Sequence, residues 1–126
     1  MPEHQHPHLL GIDFGTSNSA AAMVGADGRL HALKLDEGST SMPTALFFSS
    51  EDGTVAYGRA AMQAYLEGHE GRLMRSLKSL LGSSLINEQT LLNGRMVSLF
   101  EVVVLFFKEL KRRCERELGH PVDAAL

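Results

Sequence analysis

From Ser98 to Gly119 the chain carries a pattern that leaves few choices of fold. Ser98 followed by Glu101 forms a capping box, and Leu99, Val103, Phe106, Leu110, Cys114 and Leu118 recur at spacings of three and four until Gly119 and Pro121 end the run. The spacing predicts one helix of about 20 residues. Its first half is apolar almost all round and is expected to be buried on more than one side. The second half is amphipathic and exposed. Lys108, Lys111, Arg112, Arg113 and Arg116 crowd its last turns, where they complement the helix dipole and solvate a face.

The rest of the composition bounds what surrounds that helix. With 126 residues the chain is one small domain or a piece of a larger one. Hydrophobic residues at 44% and charged residues at 21% are enough to build a core, which excludes disorder over most of the length. The longest apolar run, Val102 to Phe107, is far below the roughly 20 residues that cross a bilayer, so no membrane partner is expected. Twelve Lys and Arg against fifteen Asp and Glu give a net charge of -3, without the excess expected of a nucleic-acid binder. The start lacks a basic region and a long apolar stretch, and the single cysteine, Cys114, cannot form an internal disulfide. Both suit a reducing cytoplasm.

Residues 1–8 carry His4, His6 and His8 in alternation, so an extended segment would present three imidazoles on one side. A transition metal could bind such an array, but with Pro2 and Pro7 in the segment a flexible terminus is expected. From Leu9 the pattern is a strand meander: Leu9–Gly15, Ser19–Val24 and Arg29–Leu35, joined by turns at Thr16-Ser17-Asn18 and Asp27-Gly28. Residues 36–44 are a loop of turn formers, and Ala45–Ser50 with Thr54–Tyr57 reads as a further hairpin. Met62, Tyr65 and Leu66 predict one short helix, and Leu73, Leu77 and Leu80 a second ending at Gly82. Asn93-Gly94 signals a type I′ hairpin, and Val122–Leu126 begins an extended segment.

The chemistry concentrates at the first turn. Side chains alternate along a strand, so Leu10, Ile12 and Phe14 face one way and Gly11, Asp13 and Gly15 the other, leaving the carboxylate flanked by empty space. Gly15 lets the backbone approach a ligand closely, and the N–H groups and hydroxyls of Thr16 and Ser17 offer donors for phosphate oxygens. Asp13 is placed to hold a divalent ion through water, because magnesium keeps much of its hydration. The same residues also fit a glycine-rich hairpin with an Asx turn and no ligand. Neither a Walker loop nor a dinucleotide fingerprint is present: no Gly-Lys-Ser/Thr follows, and the turn leads into a strand rather than a helix.

GIDFGTSNS resembles the first phosphate motif of the superfamily that unites actin, sugar kinases and heat-shock ATPases, in the form used by the 70-kilodalton heat-shock chaperones. The similarity continues through the Ser41-Met42-Pro43-Thr44 loop, the Lys78-Ser79-Leu80-Leu81-Gly82 segment and the long helix ending before Pro121-Val122-Asp123, and so spans residues 9–126. The stretch RLMRSLKSLLGSSL is more similar to the divergent YegD-like bacterial branch than to the main chaperone line. The resemblance implies an α/β, ribonuclease-H-like (actin-like ATPase) fold. Within it this chain would supply part of the first lobe: a three-stranded meander, an inserted α+β subdomain and one long helix.

It also implies ATP or ADP and magnesium as ligands, and a role in the stress response. Asp13 corresponds to the ligand of a magnesium-bound water, and Thr16 and Ser17 to the hydroxyl pair on the β- and γ-phosphates, with Gly15 and Asn18 completing the turn. Lys78 corresponds to the lysine that orients the attacking water; by itself it also reads as an ordinary exposed helical lysine. The family's second phosphate loop, second carboxylates and adenosine motif would follow residue 126. The chain is therefore expected to be the N-terminal portion of a longer protein, inactive alone, with unfolded peptide clients and co-chaperones engaged through regions outside it. A truncated sheet edge at Leu9–Gly15 and uncovered apolar helix surface would favour a homo-oligomer. Two alternatives stay open: a fragment of a sugar or acetate kinase, and a non-catalytic interaction module.

Overall fold

The computed structural model describes residues 10–122. The histidine-bearing segment 1–8 and the tail 123–126 therefore lie outside the described residues. Strands β1 (Leu10–Phe14) and β2 (Asn18–Val24) form an antiparallel hairpin with Leu10 opposite Met23 and Phe14 opposite Ser19. Two short strands share the other edge of β2: β3 (Leu30–Ala32) along Ala22–Val24, and β4 (Met42–Pro43) along Asn18–Ser19. Gly28 adopts φ 77° in the turn before β3, the left-handed geometry that the Asp27-Gly28 signal demands. The third strand is shorter than its expected span Arg29–Leu35, although the Leu33 N–H still donates to the Ala21 carbonyl at 2.9 Å. Among the described residues β1 pairs along one edge only.

A second antiparallel sheet places β5 (Ala45–Ser49) between β6 (Val55–Tyr57) and β7 (Gly71–Arg75). Strand β5 is buried on both faces, which explains its unbroken apolar run. Leu46 and Phe48 join the main core, while Ala45 and Phe47 pack on Ala61 of helix α1 (Arg59–Leu66). That helix exists where expected, but its buried face is alanine-lined: Tyr65 and Leu66 point outward, 55% and 77% exposed.

The helix predicted from Leu73, Leu77 and Leu80 is not formed. Leu73 lies in β7, and only a short 3-10 turn, Leu77–Leu80, follows it. The three-and-four spacing is shared by a strand residue and a turn that bury their leucines in different clusters. Pairing of β7 along the whole of β5, from Gly71 opposite Ser49 to Arg75 opposite Ala45, outweighs the helical periodicity. Ser76, left-handed at φ 59°, would interrupt any helix through that point. Gly71 is required at the start of β7, since a Cβ there would overlap the Phe48 carbonyl.

A second 3-10 turn, Ser84–Asn87, leads to the hairpin of β8 (Gln89–Leu92) and β9 (Arg95–Ser98). Asn93 and Gly94 there have φ 52° and 77°, both left-handed as a type I′ turn needs. Helix α2 (Leu99–Leu118) follows directly. The Ser98 hydroxyl accepts the Glu101 N–H at 3.1 Å, and left-handed Gly119 closes the helix. Val102, Val103, Phe106, Leu110 and Cys114 are buried, with the Phe14 ring of β1 packed at a tilt against those of Phe106 and Phe107 at centroid distances of 5.9 and 4.7 Å. Coverage of the first half is incomplete, since Phe100 is 55% exposed. Burial pushes the Cys114 thiol up to about 11, leaving it an inert packing residue.

Candidate functional site

The turn between β1 and β2 is held closed from below. The Gly15 N–H donates to the Asn18 carbonyl at 3.0 Å, and a Cβ on Gly15 would overlap that same carbonyl, so only glycine fits. Ser19, the first buried residue of β2, shares a 2.8 Å hydrogen bond between its hydroxyl and that of Thr44, also buried. The Thr44 N–H donates to the Ser17 carbonyl at 3.0 Å. Thus the Met42–Thr44 segment braces the hairpin from the side, and the tip residues Thr16, Ser17 and Asn18 stay exposed.

Those three residues line a cleft of about 470 Å³ whose other walls include Thr44, Met62, Arg75 and Ser76. Arg75 is the sole charged residue lining it. Asp13 is exposed on the neighbouring open face of the sheet, in a shallow recess of about 350 Å³ among Gly11, Ala20, Ala22 and Ala32. The alternation expected of β1 therefore holds at the carboxylate. Lys78 sits in the 3-10 turn rather than on a helix, is exposed, and lines neither cavity. The structure thus brings together Gly15, Thr16, Ser17 and Asn18, sets Asp13 beside them on the same hairpin, and leaves Lys78 three residues beyond the cleft wall at Arg75. No group of three or more His, Cys, Asp or Glu suited to a metal occurs among the described residues.

Comparison with known proteins places the chain. A "Chaperone protein HscA homolog" of Vibrio vulnificus (strain YJ016) is 36% identical over 87 residues, covering 69% of this chain and 14% of that protein. A "Chaperone protein DnaK" of Thermosipho africanus (strain TCF52B) is 27% identical over 119 residues, covering 94% of this chain and 19% of that protein. The corresponding "Chaperone protein DnaK" of Thermotoga maritima is 26% identical over 118 residues, with the same coverage. The chain is a homologue of the 70-kilodalton heat-shock chaperones. It spans between 14% and 19% of the length of these relatives. No protein-family model matches it.

In this heat-shock chaperone homologue the support behind the cleft is an ionic latch that the sequence reading missed. Asp36, only 4% exposed, accepts the Arg59 N–H at 2.7 Å through Oδ2 and the Arg113 guanidinium at 3.0 Å through Oδ1. Arg59 also donates to the Ser41 carbonyl at 2.6 Å, and Arg113 to the Leu35 carbonyl at 3.2 Å. Arg113 and Arg112 both reach Glu109. Burial raises the Glu109 carboxyl pKa, but the hydrogen bonds from Arg112 and Arg113 outweigh it and hold the group below its ordinary value. One buried carboxylate therefore ties α1 and α2 to the loop that leads into the brace. Nothing local signals this, because Asp36 and Arg113 are 77 residues apart. For Arg75 the one available signal is its position at the end of a strand that sequence reading took for a helix.

Proposed function

We propose that this chain is part of the first lobe of a ribonuclease-H-like, actin-like ATPase domain, and that its β1–β2 hairpin binds the β- and γ-phosphates of ATP or ADP in a cytoplasmic chaperone. The observation that carries the reading is the exposed Thr16-Ser17-Asn18 tip, following Gly15, on a cleft without carboxylates, its backbone braced by the Met42–Thr44 segment. An anion meets hydroxyls, an amide and one guanidinium there, and no competing negative charge. Similarity to chaperones over most of the chain favours this over a sugar kinase.

The donor set fits magnesium. A single exposed carboxylate, Asp13, beside hydroxyls is the chemistry of an ion that keeps several waters and takes its remaining ligands from phosphates. When bound, magnesium would neutralise phosphate charge. Asp13 would orient a water of its shell, and Thr16 and Ser17 would fix the phosphate oxygens. Lys78 would place the attacking water and stabilise charge as it develops, which requires the turn at Leu77–Leu80 to face the phosphates. Peptide clients and co-chaperones would be engaged by other regions of the whole protein. Alone, the chain should bind ATP only in the millimolar range or more weakly, corresponding to about 4 kcal/mol or less.

The test is substitution in a protein joining this chain to the rest of the ATPase. Lys78→Ala should lower hydrolysis by orders of magnitude with nucleotide affinity kept within a few-fold, and Asp13→Asn should weaken the magnesium-dependent part of binding. Hydrolysis at the unsubstituted rate in Lys78→Ala would remove that lysine from the reading.

A further inference from the structure

The eight arginines of this chain separate into two kinds. Arg59 is bound to Asp36, Arg72 to Thr90, Arg95 faces Glu101, and Arg112 and Arg113 share Glu109. Arg75 differs. Among the described residues its guanidinium makes no hydrogen bond and no ion pair, and it is the sole charge on the cleft that Thr16, Ser17 and Asn18 line. The fold holds it there. Arg75 is the last residue of β7 and lies opposite Ala45 across the sheet. The residue before Ala45 is Thr44, whose N–H is bonded to the Ser17 carbonyl. The end of the second sheet is thus stitched to the hairpin tip. Ser76 then turns the chain away through a left-handed conformation.

We propose that Arg75 is a binding residue for polyphosphate, closing on the phosphate oxygens held by Thr16, Ser17 and Asn18 from the β7 side of the cleft. This rests on the reading of the hairpin as a phosphate site and adds a residue to it. A guanidinium offers paired donors to two oxygens of one phosphate, and its charge is not spent on an internal carboxylate. Lys78 emerges outside the cleft, so the two cations have separate tasks: Arg75 binds, and Lys78 serves hydrolysis.

The experiment is titration of the nitrogen-15-labelled 126-residue chain with tripolyphosphate, magnesium ATP and adenosine at constant ionic strength, followed by nuclear magnetic resonance. Tripolyphosphate and magnesium ATP should shift the amides of Gly15 to Asn18 together with the Arg75 side-chain Nε–H; adenosine should shift neither. Arg75→Ala and Arg75→Gln should weaken tripolyphosphate about tenfold, Arg75→Lys about threefold, and Arg116→Ala, removing the same charge from the far end of α2, less than twofold. Equal affinity in Arg75→Ala with the hairpin shifts intact overturns the role of Arg75 and leaves the phosphate hairpin standing. Absence of hairpin shifts in the unsubstituted chain overturns both. The Nε–H signal needs no variant, so it decides the matter even if a substitution loosens β7.

Discussion

The latch around Asp36 and the cleft beyond it are built from the same chemistry, arginines set against hydroxyls and carbonyls, yet they end in opposite states. At Asp36 both carboxylate oxygens are taken, and the two arginines that reach it are further shared with Ser41, Leu35 and Glu109. In the cleft, the Thr16 hydroxyl and the Arg75 guanidinium have no partner among the described residues. A buried charge must be neutralised within the protein because desolvation is costly, whereas an exposed donor can stay unspent until a ligand arrives. Saturation marks the latch as architecture. The open donors are what the proposed ligand would meet in the cleft, and composition alone does not reveal them.

That contrast breaks most visibly at the latch. Asp36→Ala would take from the largely buried Arg113 guanidinium one of its two carboxylates, leaving Glu109, and would leave the first turn of α1 without an acceptor. We expect a loss of about 3 kcal/mol, read by urea unfolding. Part of the loss should return in the double variant Asp36→Ala with Arg113→Met, since the guanidinium that lost one of its two carboxylates is then gone. A loss under about 1 kcal/mol would show that solvent reaches these groups and that the latch is ordinary surface.

The cleft should respond the other way. Thr16→Val exchanges an exposed hydroxyl that bonds nothing within the described residues, and stability should move by less than about 0.5 kcal/mol in the same unfolding experiment. Polyphosphate affinity should fall. Marked destabilisation by this variant would mean that the hairpin tip is structural, erasing the difference from the latch.

The smallest effect separates both regions from an exposed ion pair. His69 lies 3.1 Å from Glu51 and 3.3 Å from Glu67. The Glu51 hydrogen bond and charge, reinforced by Glu67, raise the imidazole pKa above its usual value. The folded state therefore favours the protonated ring: its contribution is fully present below about pH 6.5 and is lost as pH rises through the folded-state pKa. Stability measured from pH 5.5 to 8 should show a shallow decline that His69→Gln removes. A slope that survives the substitution would assign it to another group.

Much of this was legible from residues alone because the signals were local. Asn93-Gly94 demanded two left-handed residues, Ser98 offered its hydroxyl three positions ahead, and Gly119 ended the helix; each needs only its neighbours to act. The hairpin tip was equally legible, since Gly15 and the hydroxyls of Thr16 and Ser17 follow one another in the chain. The α1 face was misjudged for a related reason: small Ala61 is what fits against Phe47 and Ala45, while the larger Tyr65 and Leu66 face out.

What the amino-acid order determined by itself is the set of short-range events: the turns, the caps, the long helix with its apolar stripe, and the strand that carries Asp13 into the turn at Gly15. What only the tertiary structure decided is everything that depends on a partner far along the chain. Strand β5 recruited β7 and so turned the Leu73 periodicity into a strand. Asp36 found Arg113 across 77 residues, and Arg75 arrived at the cleft because Ala45 lies opposite it. The physical reason is the range of the forces. Backbone geometry and capping act within a few residues, but burial and ion pairing act between surfaces that meet only after the chain has folded.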